Sequence, residues 1–254
     1  MDERQCAIDF MRSIDERSAE QVVHFRWGRA LINRTLSSAP DLNYLVADRV
    51  LESATADDLA RESERIQAPT GISFRRVNVD AEDVAERLLP AFARLGFQPE
   101  RFCVMVHHRA PEREVDTSAV RRVDWASYEP GRREQIASWA PSALIGEQAL
   151  LKQLLTARVI DTSYWCAFVH GSPASFCEVR RQGRAAQIEF VETLERFRRR
   201  GLARQVVTAA LQSVRGSAFI FLVADLSGWP RNFYQRLGFD VVGVESRYIR
   251  HLHV

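Results

Sequence analysis

The chain has 254 residues, 46% of them apolar and 27% charged, with a formal net charge of +2. That length and apolar share support one large or two small cores, and the charge balance excludes a disordered chain or a polyanion-coating protein. No run approaches the roughly 20 apolar residues needed to cross a bilayer, and Met1–Arg17 mixes acids and bases without the apolar centre of a secretory signal. A soluble, cytoplasmic protein without a membrane partner is therefore expected. The basic residues are arginine throughout except Lys152, so arginine richness by itself is discounted as a functional signal.

The expected elements run as follows. A helix covers Glu3–Ile14, and Val23–Trp27 with Arg29–Ile32 makes a hairpin. A helical segment at Asp57–Ile66, a strand at Ile72–Val79 and a helix at Glu82–Leu95 come next. Charged, Pro111-containing Arg109–Thr117 has no apolar period and marks the boundary between two domains, 1–112 and 117–254. Beyond it come a strand at Ala119–Trp125 and helices at Arg132–Trp139 and Gly146–Arg158. Three strands follow, Trp165–His170, Ser175–Arg181 and Ala186–Leu194, joined by the turns Gly171-Ser172-Pro173 and Gln182-Gly183-Arg184. The chain then gives a helix at Gly201–Val214, a strand at Phe219–Ala224 and a short helix at Pro230–Leu237. The alternation of helix and strand predicts an α/β fold with a mixed sheet.

Arg94-Leu95-Gly96-Phe97 recurs as Arg236-Leu237-Gly238-Phe239. The preceding helix, strand and helix recur at nearly constant offsets, so the chain reads as two related units. Cys6, Cys103, Cys166 and Cys177 form no CxxC pair and no disulfide framework; Cys166 and Cys177, in apolar strand-like runs, read as core residues. His107-His108 and His251-x-His253 lie at strand ends without a third ligand, so no metal is expected.

Chemistry concentrates in two places. In Arg198-Arg199-Arg200-Gly201-Leu202-Ala203-Arg204 a strand turns directly into an apolar-periodic helix. Backbone N–H groups left free there, the positive helix end and the arginines together make an anion site. Gly201 allows close backbone approach and Ala203 keeps the first turn thin. The run is neither a Walker loop nor a dinucleotide fingerprint. It resembles the pyrophosphate-binding motif R/Q-x-x-G-x-G/A of the GNAT superfamily of N-acyltransferases, with Arg198, Gly201 and Ala203 in the defined positions. Downstream, Tyr234-Gln235-Arg236-Leu237-Gly238-Phe239 is similar to that family's C-terminal Y-x-x-L-G-F signature.

The resemblance covers about Ser118 to the C-terminus. It implies a tandem GNAT-like fold of two related units, with acetyl-CoA as co-substrate and its pyrophosphate on the Arg198–Arg204 turn. Val191, Glu192 and Thr193, with Leu194, would lie beside the pantetheine arm on a strand splayed at a bulge. Tyr234 would protonate the departing thiolate; a phenol, with a reference pKa of about 10, carries the proton at neutral pH. One departure stands out: no asparagine occupies Asp225–Pro230, where family members commonly carry one.

Removal of the amine proton calls for a carboxylate or a water chain. Glu189 and Glu192 lie three positions apart, on opposite faces of a regular strand. Glu189, sharing a face with Val191 and Thr193, is the preferred base, since Glu192 is nearer the pantetheine segment; Glu178 and Asp225 rank behind them. Trp229, Tyr164 and Trp165 are candidates for an acceptor pocket. In the first unit the turn equivalent to Arg198–Arg204, Leu51–Leu59, has no glycine and no arginine and carries three acids. Phe92 stands where Tyr234 would. That unit is expected to have kept the fold and lost the cofactor.

The sequence thus predicts an N-acetyltransferase acting by direct transfer on a primary amine of a small molecule or peptide. Two rival readings are an aminoacyl-tRNA-dependent transferase of the tandem GNAT-like type and a non-catalytic CoA-binding sensor. The near-neutral charge argues against nucleic-acid binding. Acceptor and oligomeric state are left open.

Overall fold

Helix α1 (Glu3–Ser18) starts where the Asp2 side chain accepts from the Gln5 backbone N–H, a regular N-cap. The computed structural model describes residues 2–252, so His253 lies outside the described residues. The chain divides into two compact units. One comprises Met1–Cys103, Asp225–Ser227 and Gly243–Val254; the other comprises Val104–Ala224 and Gly228–Val242.

In the first unit, α1 is followed by hairpin strands β1 (Gln21–Phe25) and β2 (Gly28–Ile32), then β3 (Tyr44–Ala47), α2 (Ala56–Gln67), β4 (Phe74–Val79), α3 (Glu82–Arg94) and β5 (Gln98–His107). The second holds β6 (Val120–Val123), α4 (Trp125–Ala137), α5 (Ala143–Val159), β7 (Asp161–Val169), β8 (Ser172–Gln182), β9 (Ala185–Thr193), α6 (Leu202–Ser213), β10 (Phe219–Asp225) and α7 (Trp229–Gln235). The last strand is β11 (Phe239–His251). Residues of β5 and β11 are divided between the units.

The first unit's sheet runs β1-β2-β3-β4-β11. It mixes antiparallel pairs with one parallel pair, β3 with β4. The second unit's sheet runs β10-β9-β8-β7-β6 and is antiparallel except for β9 with β10. Each unit thus contains one parallel crossover through a helix, α2 or α6, as βαβ units require. Leu59, Ile66, Val77, Leu88 and Phe92 anchor the first unit's core, and Tyr128, Tyr164, Cys166 and Phe176 form an aromatic-rich cluster in the second.

Two differences from the expected elements have local causes. Strand β3 was not foreseen: only four residues long and buried throughout, it offers no alternation to read. Helix α4 begins at Trp125, seven residues before the expected start, and contains Pro130 and Gly131. Asp124 caps it by accepting from the Ser127 N–H at 2.9 Å, and Gly131 is needed because a Cβ there would come within 2.9 Å of Phe176 and Pro173 on β8. Close helix–sheet contact here overrides the helix-breaking composition.

Candidate active site

The ladder between β9 and β10 runs from Phe219↔Ala185 to Phe221↔Gln187 and stops, although both strands continue. Just beyond, β9 carries a bulge. Glu178 faces Glu189 and Phe176 faces Glu192, so one residue of β8 opposes two of β9, and Phe190 takes a left-handed φ of 50°. The bulge corrects an expectation. Directly opposed residues point to one face, and Phe176 and Glu178 are two apart. Glu189 and Glu192 therefore share a face, while Thr193, opposite Ser175, turns to the other.

The strand end leads through a short 3₁₀ turn, Glu195–Phe197, into Arg199 and Gly201, with φ of 61° and 78°. Helix α6 then begins with Gly201 as a bare N-cap, no capping side chain and no acid in its first turn. Alternating left-handed residues and a free helix start aim several N–H groups at one point. A Cβ at Gly201 would meet nothing within 4 Å. The space in front of the turn is open, and the left-handed φ is what calls for glycine there. The arginines divide by side. Arg198 and Arg199 line the cleft, and Arg198 Nε donates to the Thr193 carbonyl at 3.3 Å. Arg196 and Arg200 lie over the Phe197 ring, at 4.7 and 5.6 Å, and Arg196 pairs with Glu134.

One cleft of about 590 Å³ gathers most of the residues singled out in the sequence. Its walls are Val191, Glu192 and Thr193 of β9, Arg198, Arg199, Gly201, Leu202, Ala203 and Arg204 of the turn, and Tyr234 of α7. Arg200 and Glu189 are outside that lining. Glu189 accepts from Gln187 Nε2 at 2.5 Å. Phe233, Trp229, Phe197 and Arg113 complete the cleft. Of these, Arg113 was hidden in a segment that reads as linker, and Trp229 is 70% exposed. Tyr234 is held edge-on by Phe233 at 5.0 Å and Phe239 at 6.0 Å. Gly238, from the same motif, lets the chain pass: a Cβ there would fall 1.8 Å from the Arg109 carbonyl oxygen.

Burial pushes the Glu192 carboxyl up, against the pull of Arg132 and Arg198. Behind it runs a polar chain that only the fold assembles. Gln135 Nε2 donates to Glu192 at 3.2 Å, Arg132 donates to Gln135 and, at 2.9 Å, to Gln153, and Gln153 donates to buried Glu178 at 2.5 Å. Glu178 also receives Arg180 at 2.9 Å, so this candidate base is already committed to partners. Asp225 accepts from the Ser227 N–H and hydroxyl, both at 2.8 Å. Tyr164 is buried against Trp125 and Tyr128, a packing residue rather than a pocket wall. Trp165 is absent from the cleft lining.

Residues 124–239 match the model of the acetyltransferase (GNAT) family. This segment is a GNAT domain. Over nearly the whole chain the fold resembles a protein of unknown function from Staphylococcus epidermidis ATCC 12228, with a TM-score of 0.69 at 16% identity, covering 92% of this chain and 94% of that one. It also resembles a GCN5-related N-acetyltransferase from Kribbella flavida, with a TM-score of 0.60 at 14% identity over 97% and 95%. A tandem GNAT protein from the clavulanic acid biosynthesis pathway aligns with a TM-score of 0.52 at 12% identity over 78% and 70%. No curated protein matches by sequence. The fold is thus a tandem GNAT-like one whose N-terminal half shares the architecture. Among the described residues no group of three or more His, Cys, Asp or Glu side chains could hold a metal, and no helix is long and apolar enough to cross a membrane.

Proposed function

We propose that residues 117–254 transfer an acetyl group directly from acetyl-CoA to a primary amine of a small molecule or peptide. The observation that carries this reading is the single cleft joining an uncapped helix start, the part of β9 beyond its ladder with β10, and Tyr234. The residues present fit the cofactor. The α6 start and Arg198 and Arg199 suit a pyrophosphate. The β9 backbone continues past the end of its ladder with β10 at Gln187 and suits the amides of a pantetheine arm. A backbone donor of β9 polarises the thioester carbonyl. Tyr234 gives its proton to the departing thiolate.

Two β9 carboxylates compete for the amine proton. Glu192 is the base we propose, because it lines the cleft with Tyr234 and burial raises its pKa, which makes it a stronger proton acceptor than an exposed carboxylate. Glu189 stands on the same face and is the alternative. Thiol release from acetyl-CoA against a panel of amines tests the activity. Acetyl-CoA binding with no amine-dependent release would favour a sensor. In the pH profile of kcat/KM, the acid limb should lie above the ordinary carboxylate range and vanish in Glu192→Gln. A limb that survives in Glu192→Gln and vanishes in Glu189→Gln would transfer the role.

A further inference from the structure

At Arg113 and Arg204 the cleft adjoins a second, smaller pocket, lined by Glu112, Arg113, Arg204 and Arg236. Three arginines against one glutamate give this pocket a net formal charge of +2. The fold holds them together: the Glu112 N–H donates to the Arg236 carbonyl at 3.1 Å, fixing the 112–113 segment to the end of α7. Arg109, the neighbouring arginine, is occupied by Asp240 at 2.7 Å and the Gln235 carbonyl at 3.2 Å. Arg204 lies in the first turn of α6, where the helix dipole already disfavours a cation. Its Nη1 is buried with no hydrogen-bond partner. Burial, then the cations of Arg113 and Arg236, lower its pKa, and Glu112 opposes them. Repulsion of this kind is relieved by an anion, and a phosphomonoester, with a charge of about −1.5 to −2 near neutral pH, matches the pocket's excess.

We propose that this pocket binds the 3′-phosphomonoester of coenzyme A, so that the protein distinguishes CoA from dephospho-CoA. The proposal rests on the CoA reading of the adjoining cleft. Because Arg204 lines both pockets, its guanidinium stands between the pyrophosphate and the terminal phosphate of one ligand.

Calorimetric titration of the full chain with CoA and with dephospho-CoA tests the assignment. Wild-type protein should prefer CoA by about 10- to 100-fold, the range for hydrogen bonds to a charged group. The preference should shrink to about threefold or less in Arg113→Ala/Arg236→Ala, and the single variant Arg236→Gln, which keeps a long polar side chain, should give an intermediate value. Inorganic phosphate, followed by phosphorus resonance, separates the cofactor's phosphate from a free or acceptor-borne one: CoA should displace it and dephospho-CoA should leave it bound. Equal wild-type affinities for the two nucleotides would overturn the proposal. So would a preference that survives in the double variant, or phosphate that remains bound beside CoA. Failure of both nucleotides to bind would remove the cofactor reading itself.

Discussion

The same parallel strand pair is built twice in this chain and closed once. In the first unit β3 and β4 stay paired to Ala47↔Val79, and the Asp80 N–H adds a further bond to the Ala47 carbonyl at 3.1 Å. In the second, β9 and β10 part after Gln187↔Phe221. The helix that follows differs in the same sense. Thr55 caps α2 by accepting from the Asp58 N–H at 3.1 Å, and Asp57 and Asp58 fill its first turn. Helix α6 starts on bare Gly201 among arginines. Where Tyr234 lines a cleft, Phe92 is fully buried and stacked on Tyr248 at 4.2 Å. The first unit also holds a buried ionic cluster. Arg12 donates to Asp80 at 2.9 Å, to Glu245 at 3.2 Å and to the Tyr44 hydroxyl at 2.9 Å, and Arg247 donates to Glu245 at 2.7 Å. One framework is closed in the first unit and open in the second, according to whether its helix start is capped and its parallel strands stay paired.

Glu245→Gln should sharpen that contrast most. Leaving Arg12 and Arg247 buried beside a neutral amide should cost about 3–5 kcal/mol of unfolding free energy, while any folded variant should keep its acetyl-CoA affinity. The pH dependence has a defined sign. Burial alone would raise the Glu245 pKa, but Arg247 and Arg12 bring it down to about 2. A depressed folded-state pKa contributes stability above the unfolded value, and that stability is lost as the pH falls toward 2. Denaturant melts across this range should show the loss in wild type and a flatter profile in the variant.

Tyr234→Phe gives the second unit the first unit's residue. With a responsive amine and chemistry limiting, kcat should fall by about 10²–10⁴-fold, with calorimetric CoA affinity nearly unchanged. An unaltered kcat would reduce Tyr234 to a packing residue. Gly201→Glu imposes the first unit's acidic character on the α6 start. Acetyl-CoA at about 100 times its dissociation constant should stabilise wild type by roughly 2.7 kcal/mol, and thermal melts of the folded variant should lose that shift; an undiminished shift would remove the cofactor from this turn. Thr55→Ala, the smallest change, uncaps α2 and should cost about 1 kcal/mol. Titration of that variant should still give one CoA site per chain; a second site would show that capping alone had silenced the first unit.

Much of this contrast was written locally in the chain. Arg198, Gly201 and Ala203, and the Tyr234 to Phe239 run, carry their meaning in residue type and spacing, because a left-handed turn and a bare helix start are short-range features. The acids at 57 and 58 and Phe92 were equally legible as the first unit's departures from that pattern. Glu192 was harder to weigh: the resemblance implied a bulge in this strand, but no residue pattern fixes it at Phe190, so parity along β9 gave the wrong faces. Arg113 was equally opaque, because a charged segment with a proline reads as linker until its backbone is seen bonded to α7.

By itself, then, the sequence determined the two-unit α/β plan, the strand-to-helix turn with its bare helix start and the tyrosine motif, all fixed by chemistry within a few residues. Only the tertiary structure decided where the β9–β10 ladder opens, that Glu189 and Glu192 share a face, that Glu192 is linked through Gln135, Arg132 and Gln153 to Glu178, and that Arg113 and Arg236 meet Arg204. These depend on register, burial and approach between segments up to 123 positions apart in the chain, as Arg113 and Arg236 are. Such contacts are set by packing that no local residue pattern encodes.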